Sequence, residues 1–191
     1  MKKLKCKGEK VRSDLDNIDR AEGVDLLASF FDLTTFSRYV RNRSAQDVFE
    51  LLSDYYQLVG DIIEEGNGKV VKFIGDAGLV AFPEDAVAKG VLALRKLKNE
   101  GDAWLADRDT PCKHRIKAHF GHVHCGRIGT RTSKQFDLFG ETVDIAAVLQ
   151  SNGLALTAQV FRKLDSSTRQ LFKKHTPPIT YIPVEEAHAD R

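Results

Sequence analysis

The stretch KVVKFIGDAGLVAF, Lys69–Phe82, decides the fold. Val70, Val71, Phe73 and Ile74 precede a Gly75-Asp76 pair, and Leu79, Val80 and Phe82 follow it. Two short β-branched and aromatic runs flanking a glycine-aspartate pair predict a hairpin that bends at Gly75-Asp76. A hairpin excludes a purely parallel sheet. The same stretch raises a question, because Lys72 and Asp76 are charged within a segment otherwise suited to burial.

Upstream, Ala45–Glu65 carries Val48, Leu51, Leu52, Tyr55, Leu58, Val59, Ile62 and Ile63 at helical spacing, which predicts a long amphipathic helix. Ser44 is placed to cap it, and Gly66 and Gly68 to end it. Val24–Asp32, VDLLASFFD, reads as a buried strand. Downstream, the expectation is a second helix over Asp85–Asn99 and a loop through EGDAWLADRDTPC. A strand over His114–Gly121 should follow, then a turn, a strand over Val123–Ile128 and another over Phe136–Phe139. A third helix is expected over Thr142–Gln150. The tail should hold a helix over Ala158–Leu164, a helical turn near Ser167–Phe172 and an edge strand through ITYIPVEE. Residues 1–23 read as a polar N-terminal arm and residues 24–191 as one domain. This order predicts an α+β fold: a ferredoxin-like antiparallel sheet with helices packed on one side.

Composition narrows the function classes. A net charge of +2 over 191 residues argues against general nucleic-acid affinity. Three cysteines, at 6, 112 and 125, have no metal-type spacing and suit reduced thiols. The basic start MKKLKCKGEK is followed by no apolar stretch, and no apolar run approaches the roughly 18 residues of a membrane helix. The expectation is a cytoplasmic protein without a membrane or nucleic-acid partner.

Asp32 closes the first strand and opens LTTFS; Asp76 sits at the hairpin bend. If that strand lies beside the hairpin, the two carboxylates meet at one end of the sheet. Close carboxylates repel unless a cation lies between them, and hard oxygen ligands favour Mg²⁺ or Mn²⁺. Taken singly, Asp32 also reads as a turn cap and Asp76 as an ordinary hairpin residue.

Four segments in order go further. FFDLTTFS (30–37), GNGKVVKFIGDAGLVAF (66–82), AHFGHVHCGRIGT (118–130) and FDLFGETVDIAAVLQ (136–150) resemble the catalytic domain of class III nucleotidyl cyclases. The resemblance implies that Asp32 and Asp76, with the Leu33 carbonyl, hold two divalent cations, Mn²⁺ or Mg²⁺. It implies that Thr35 and Phe36 cradle the phosphates of a nucleoside triphosphate. Lys72 and Asp137 match the pair that reads the base, supplied by the opposite subunit of a homodimer. The implied reaction is two-metal cyclisation to a 3′,5′-cyclic monophosphate and pyrophosphate.

Two positions depart from that pattern. Asp144 stands where the family has an asparagine; a carboxylate there alters the ribose contact, either repelling phosphate or accepting from a ribose hydroxyl. Val148 stands where the family has an arginine that stabilises charge on the transferring phosphate. Val148 is expected to pack, leaving another cation to serve the phosphates. The candidates are Arg38, Arg41, Arg43, Arg127, Arg131 and Lys173, the last near the family's phosphate-binding lysine. A lysine donor with an aspartate acceptor suits adenine, cytosine or uracil, so pocket size must choose. The departures and the absence of a sensor region make the chain look similar to the stand-alone pyrimidine cyclases of bacterial Pycsar antiphage systems. That resemblance implies UTP, less favourably CTP, as substrate, and a separate effector that senses the product. The rival readings are an adenylate cyclase with substituted auxiliary residues and a catalytically dead regulatory subunit.

Overall fold

A computed structural model describes residues 20–187 together with Leu15 and Ile18. Most of the expected arm lies outside these residues. Within them, Glu22 and Gly23 already belong to the first strand, and Leu15 is buried.

Eight strands form one sheet: β1 (Glu22–Leu33), β2 (Lys69–Ile74), β3 (Ala77–Pro83), β4 (His114–Gly129), β5 (Lys134–Phe139), β6 (Leu154–Leu156), β7 (Phe172–His175) and β8 (Thr180–Pro183). Their order in the sheet is β2-β3-β1-β4-β6-β8-β7, with β5 paired to β4. At its centre, β1 (Glu22–Leu33) lies between β3 (Ala77–Pro83) and β4 (His114–Gly129), antiparallel to both. The hairpin is present as β2 (Lys69–Ile74) and β3, with β2 at one edge. One parallel pair, β4 with β6 (Leu154–Leu156), interrupts an otherwise antiparallel arrangement. The expected α+β sheet with packed helices is therefore the observed fold.

Alternation along β1 builds two cores. Leu27, Phe31 and Leu33 face one side, where α2 (Ala45–Glu65) and α3 (Val87–Ala106) pack. Leu26 and Ala28 face the other, with Leu79, Val123, Phe136 and Leu138. The short helix α4 (Glu141–Val148) joins this second face through Val143. The helices thus lie on both faces, not one. Ser44 caps α2 as expected, its hydroxyl accepting from the Asp47 amide at 3.1 Å. Among the described residues, no helix is long and apolar enough to cross a membrane.

Three expectations change. Helix α3 runs through Gly101 to Ala106, so half of the expected loop is helical. Gly101 is no breaker here: a Cβ would come within 2.6 Å of the His114 ring, so the glycine makes room for a side chain. The two expected strands around Gly121 are one 16-residue strand, β4. Gly121 is a point of close approach, since a Cβ there would sit 2.5 Å from Thr142 Oγ1. In the tail, α5 (Ala158–Lys163) and α6 (Ser166–Arg169) are present, but β6 and β7 (Phe172–His175) were not expected. The strand β8 (Thr180–Pro183) lies between them, and β7 takes the edge.

Candidate active site

The hairpin turn is held in place from three directions. Gly75 adopts the left-handed conformation, φ +61°, that glycine tolerates best. The Tyr56 hydroxyl donates to the Gly75 carbonyl at 2.7 Å, and the Tyr56 ring stacks on Phe73 with centroids 3.7 Å apart. Gly78 opposite Phe31 admits the Phe31 ring, which a Cβ would strike at 2.4 Å. The turn is thereby pressed against the end of β1. There the Leu33 amide donates to Asp76 Oδ2 at 3.2 Å.

Asp32, one residue earlier, lies opposite Arg115 of β4 and accepts from Arg115 Nε at 2.7 Å. Asp32 and Asp76 are thus brought together, as their sequence context predicted. Burial raises the Asp76 carboxyl above its usual range, and the Asp32 charge adds to that; backbone donors at Asp76 and Leu33, and Arg115, only partly oppose it. The site carries uncompensated negative charge that a divalent cation would relieve. Its oxygen donors suit Mg²⁺ or Mn²⁺. Among the described residues no third His, Cys, Asp or Glu completes a metal cluster, so the remaining donors must be backbone, water or substrate oxygens. The residues present therefore fit the cations.

The loop after Asp32 is pinned to the start of β4. The Thr34 amide donates to the Lys113 carbonyl at 2.8 Å, and the Lys113 amide donates to Thr34 Oγ1 at 2.9 Å. Thr35 follows with φ 60°, and Phe36 is buried at the start of α1 (Phe36–Tyr39).

Lys72 and Asp137 also meet. Lys72 Nζ and Asp137 Oδ2 are 2.6 Å apart, with side chains 36% and 18% exposed. A bulge in β2 between Val70 and Lys72 makes this possible. Val70 and Phe73, three apart, both pack on the first core while Val71 packs on the second. Lys72 is left facing β5 (Lys134–Phe139), which carries Asp137. The pair opens into a recess of about 300 Å³ with Gln135, Phe136 and Thr130. Asp32 opens into a different recess of about 400 Å³, with Arg115, Lys117 and the segment Val148–Asn152. The two recesses share no lining residue.

Asp144 is exposed on α4. Val148 is 78% exposed, so it does not pack within this chain as expected; it borders the Asp32 recess instead. Lys173 lies on β7 at the far edge of the sheet and donates to the Val184 carbonyl at 3.1 Å. Among the described residues no hydrogen bond or ion pair joins it to the other candidates.

Arg115 and Lys117 were not among the expected cations. Alternation in HRIKAHFG could have placed both on the face opposite Ile116 and Ala118. Their proximity to Asp32 depends on the β1–β4 register, which the sequence does not state.

The family described as the adenylate and guanylate cyclase catalytic domain matches residues 20–179. Human retinal guanylyl cyclase 2 is 32% identical over 142 residues, which cover 70% of this chain and 13% of that protein. An uncharacterized protein of Mycobacterium tuberculosis is 30% identical over 149 residues, 74% of this chain and 26% of the relative. The chain thus spans about a quarter or less of the length of these curated relatives. A bacterial light-regulated adenylyl cyclase structure superimposes with a TM-score of 0.74 at 23% identity, covering 87% of this chain and 53% of that one, a likeness of fold. The four motifs, the sheet order and the match over residues 20–179 agree: this chain belongs to the adenylate and guanylate cyclase catalytic domain family.

Proposed function

We propose that this chain is a nucleotidyl cyclase acting as a homodimer, with UTP as preferred substrate and CTP as the lesser one. The observation that carries the reading is the separation of two matched pairs. Asp32 and Asp76 share one end of the sheet, whereas Lys72 and Asp137 open into another recess. A single chain therefore does not present both to one nucleotide, while a two-fold partner brings the base-reading pair of one copy to the carboxylates of the other.

Divalent cations held by Asp32, Asp76 and the Leu33 carbonyl would supply Lewis acidity to the ribose 3′-hydroxyl and the phosphates. The chain supplies the rest. The pinned loop at Thr35 and Phe36 positions the triphosphate. Lys72 Nζ donates to the base O4, and Asp137 accepts from N3–H once their ion pair opens. Asp144 accepts from a ribose hydroxyl. The 3′-oxygen then bonds to the α-phosphorus, the bond from that phosphorus to the bridging oxygen breaks, and its electron pair leaves with pyrophosphate. The 3′-hydroxyl proton passes to solvent. The pyrimidine assignment rests on Asp144 and Val148, the two departures from the family pattern. It carries with it a separate effector that reads the product in antiphage defence.

Incubation with each of the four ribonucleoside triphosphates and Mn²⁺, followed by mass analysis, tests the reading. Cyclic UMP should dominate, with less cyclic CMP. Cyclic AMP as the main product would make the chain an adenylate cyclase, and no cyclic product would make it a nucleotide-binding subunit.

A further inference from the structure

The recess beside Asp32 carries an uncommitted cation. Among its lining residues only Asp32, Arg115 and Lys117 are charged; the segment from Val148 to Asn152 is neutral. Asp32 and Arg115 balance each other at 2.7 Å. Lys117 has no ion-pair partner among the described residues; its Nζ donates once, to the carbonyl of Ala147 at 3.0 Å. An ammonium has three donors, so two remain for a ligand. The Ala147 carbonyl belongs to the last turn of α4, next to Val148. The lysine therefore stands where the last turn of α4, Ile145–Val148, offers apolar side chains and no charge.

We propose that Lys117 contacts the phosphate chain of the substrate during cyclisation and takes on the charge that Val148 cannot meet. This rests on the cyclase reading above. The strand places Lys117 two residues from Arg115 on the same face, opposite Phe30 of β1, so it lies on the Asp32 side of the site. It acts in the same chain as the carboxylates and on the copy opposite Lys72 and Asp137. Charge on the non-bridging oxygens grows as the bond to pyrophosphate breaks. A cation fixed nearby lowers that barrier.

The test uses Lys117→Met and Lys117→Arg, both checked by thermal melt. With the preferred triphosphate, Lys117→Met should lower kcat about 100-fold with KM changed far less, and Lys117→Arg should retain activity within about tenfold. Binding of inorganic tripolyphosphate with Mn²⁺, followed by calorimetry, should weaken at least about tenfold in Lys117→Met and little in Lys117→Arg. Mixing supplies a readout that a structural role does not move. Lys117→Met should be rescued by Lys72→Ala, because one mixed site is then intact, and not by Asp32→Ala, because both lesions fall on the same side of the site. Unchanged kcat in Lys117→Met, or rescue by Asp32→Ala alone, overturns the proposal. If the unaltered protein cyclises no triphosphate, the cyclase reading falls by itself. Equal tripolyphosphate affinity in the two proteins then overturns the Lys117 assignment as well.

Discussion

His114 and Arg115 are neighbours on β4, yet they serve opposite kinds of polar cluster. His114 is 0% exposed and fully partnered. Its Nδ1 and its backbone amide both lie 2.8 Å from Asp102 Oδ1, and its Nε2 is 2.8 Å from the Tyr55 hydroxyl. Asp102 Oδ2 takes Lys98 at 2.6 Å. Burial raises the Tyr55 hydroxyl well above its usual range. His114 Nδ1 donates to the Asp102 carboxylate, which only accepts, and Nε2 pairs with the Tyr55 hydroxyl. Every group is satisfied inside one chain, against the helices of the first core. Arg115 faces the other way and, among the described residues, pairs with Asp32 alone, while no described cation hydrogen-bonds to Asp76. One cluster is closed and supports the fold. The other is open and held under electrostatic tension, which is what a metal and substrate site requires.

The largest separation of the two should come from alanine. Asp32→Ala or Asp76→Ala should cut cyclisation on the order of 1,000-fold or more while the melting curve holds. Full activity in either variant would remove the carboxylate pair from the mechanism. Asp102→Ala should do the reverse. It strands buried His114 and Lys98, costs roughly 3 kcal/mol and lowers Tm by about 10 °C, with cyclisation per folded molecule retained in the cold. An unchanged melt would show the closed cluster to be dispensable.

Acid titration sharpens the contrast. Burial works to raise the Asp102 carboxyl, but donors from His114 and Lys98 overcome it and hold it at about 2, against an ordinary 3.8. A depressed carboxylate contributes stability above its unfolded pKa and loses it as pH falls through the folded one. About 2 kcal/mol should therefore disappear between about pH 4 and pH 2. In Asp102→Asn this part of the acid limb should be flat. Asp76 has the opposite sign: its carboxyl is raised, chiefly by burial, so ionisation at neutral pH opposes folding. Asp76→Asn should melt slightly higher than the unaltered protein at pH 7 without metal, and should be inactive. A lower Tm in that variant would contradict the tension assigned to the open cluster.

The Lys72–Asp137 pair is partly exposed, its side chains 36% and 18% accessible. Lys72→Ala should change stability by only about 1 kcal/mol, as partly exposed ion pairs do. Cyclisation of both UTP and CTP should nevertheless be lost, because the base is no longer held.

The open cluster was more legible in the sequence than the closed one. Asp32 and Asp76 stand out because acidic residues end apolar runs, and the four motifs set them in order. The helix Ala45–Glu65 was legible to the residue, because its apolar spacing and its serine cap agree. Asp102 and Gly101 instead suggested a loop, because their helical fit comes from the His114 ring and its hydrogen bonds. The bulge at Val70–Lys72 breaks alternation without leaving a glycine as a signal. Strand β6 has three residues, too few for a pattern. Arg115 and Lys117 reach Asp32 only through the β1–β4 register, a long-range fact.

In the proposed homodimer a second copy completes the open cluster. Mixing Asp32→Ala with Lys72→Ala protein tests this, with subunit exchange followed by native mass spectrometry. Each variant alone should be inactive. At equal amounts and full exchange half the dimers are mixed, each with one intact site of two, so about a quarter of the unaltered activity should return. No recovery while mixed dimers are present would contradict a site shared between copies.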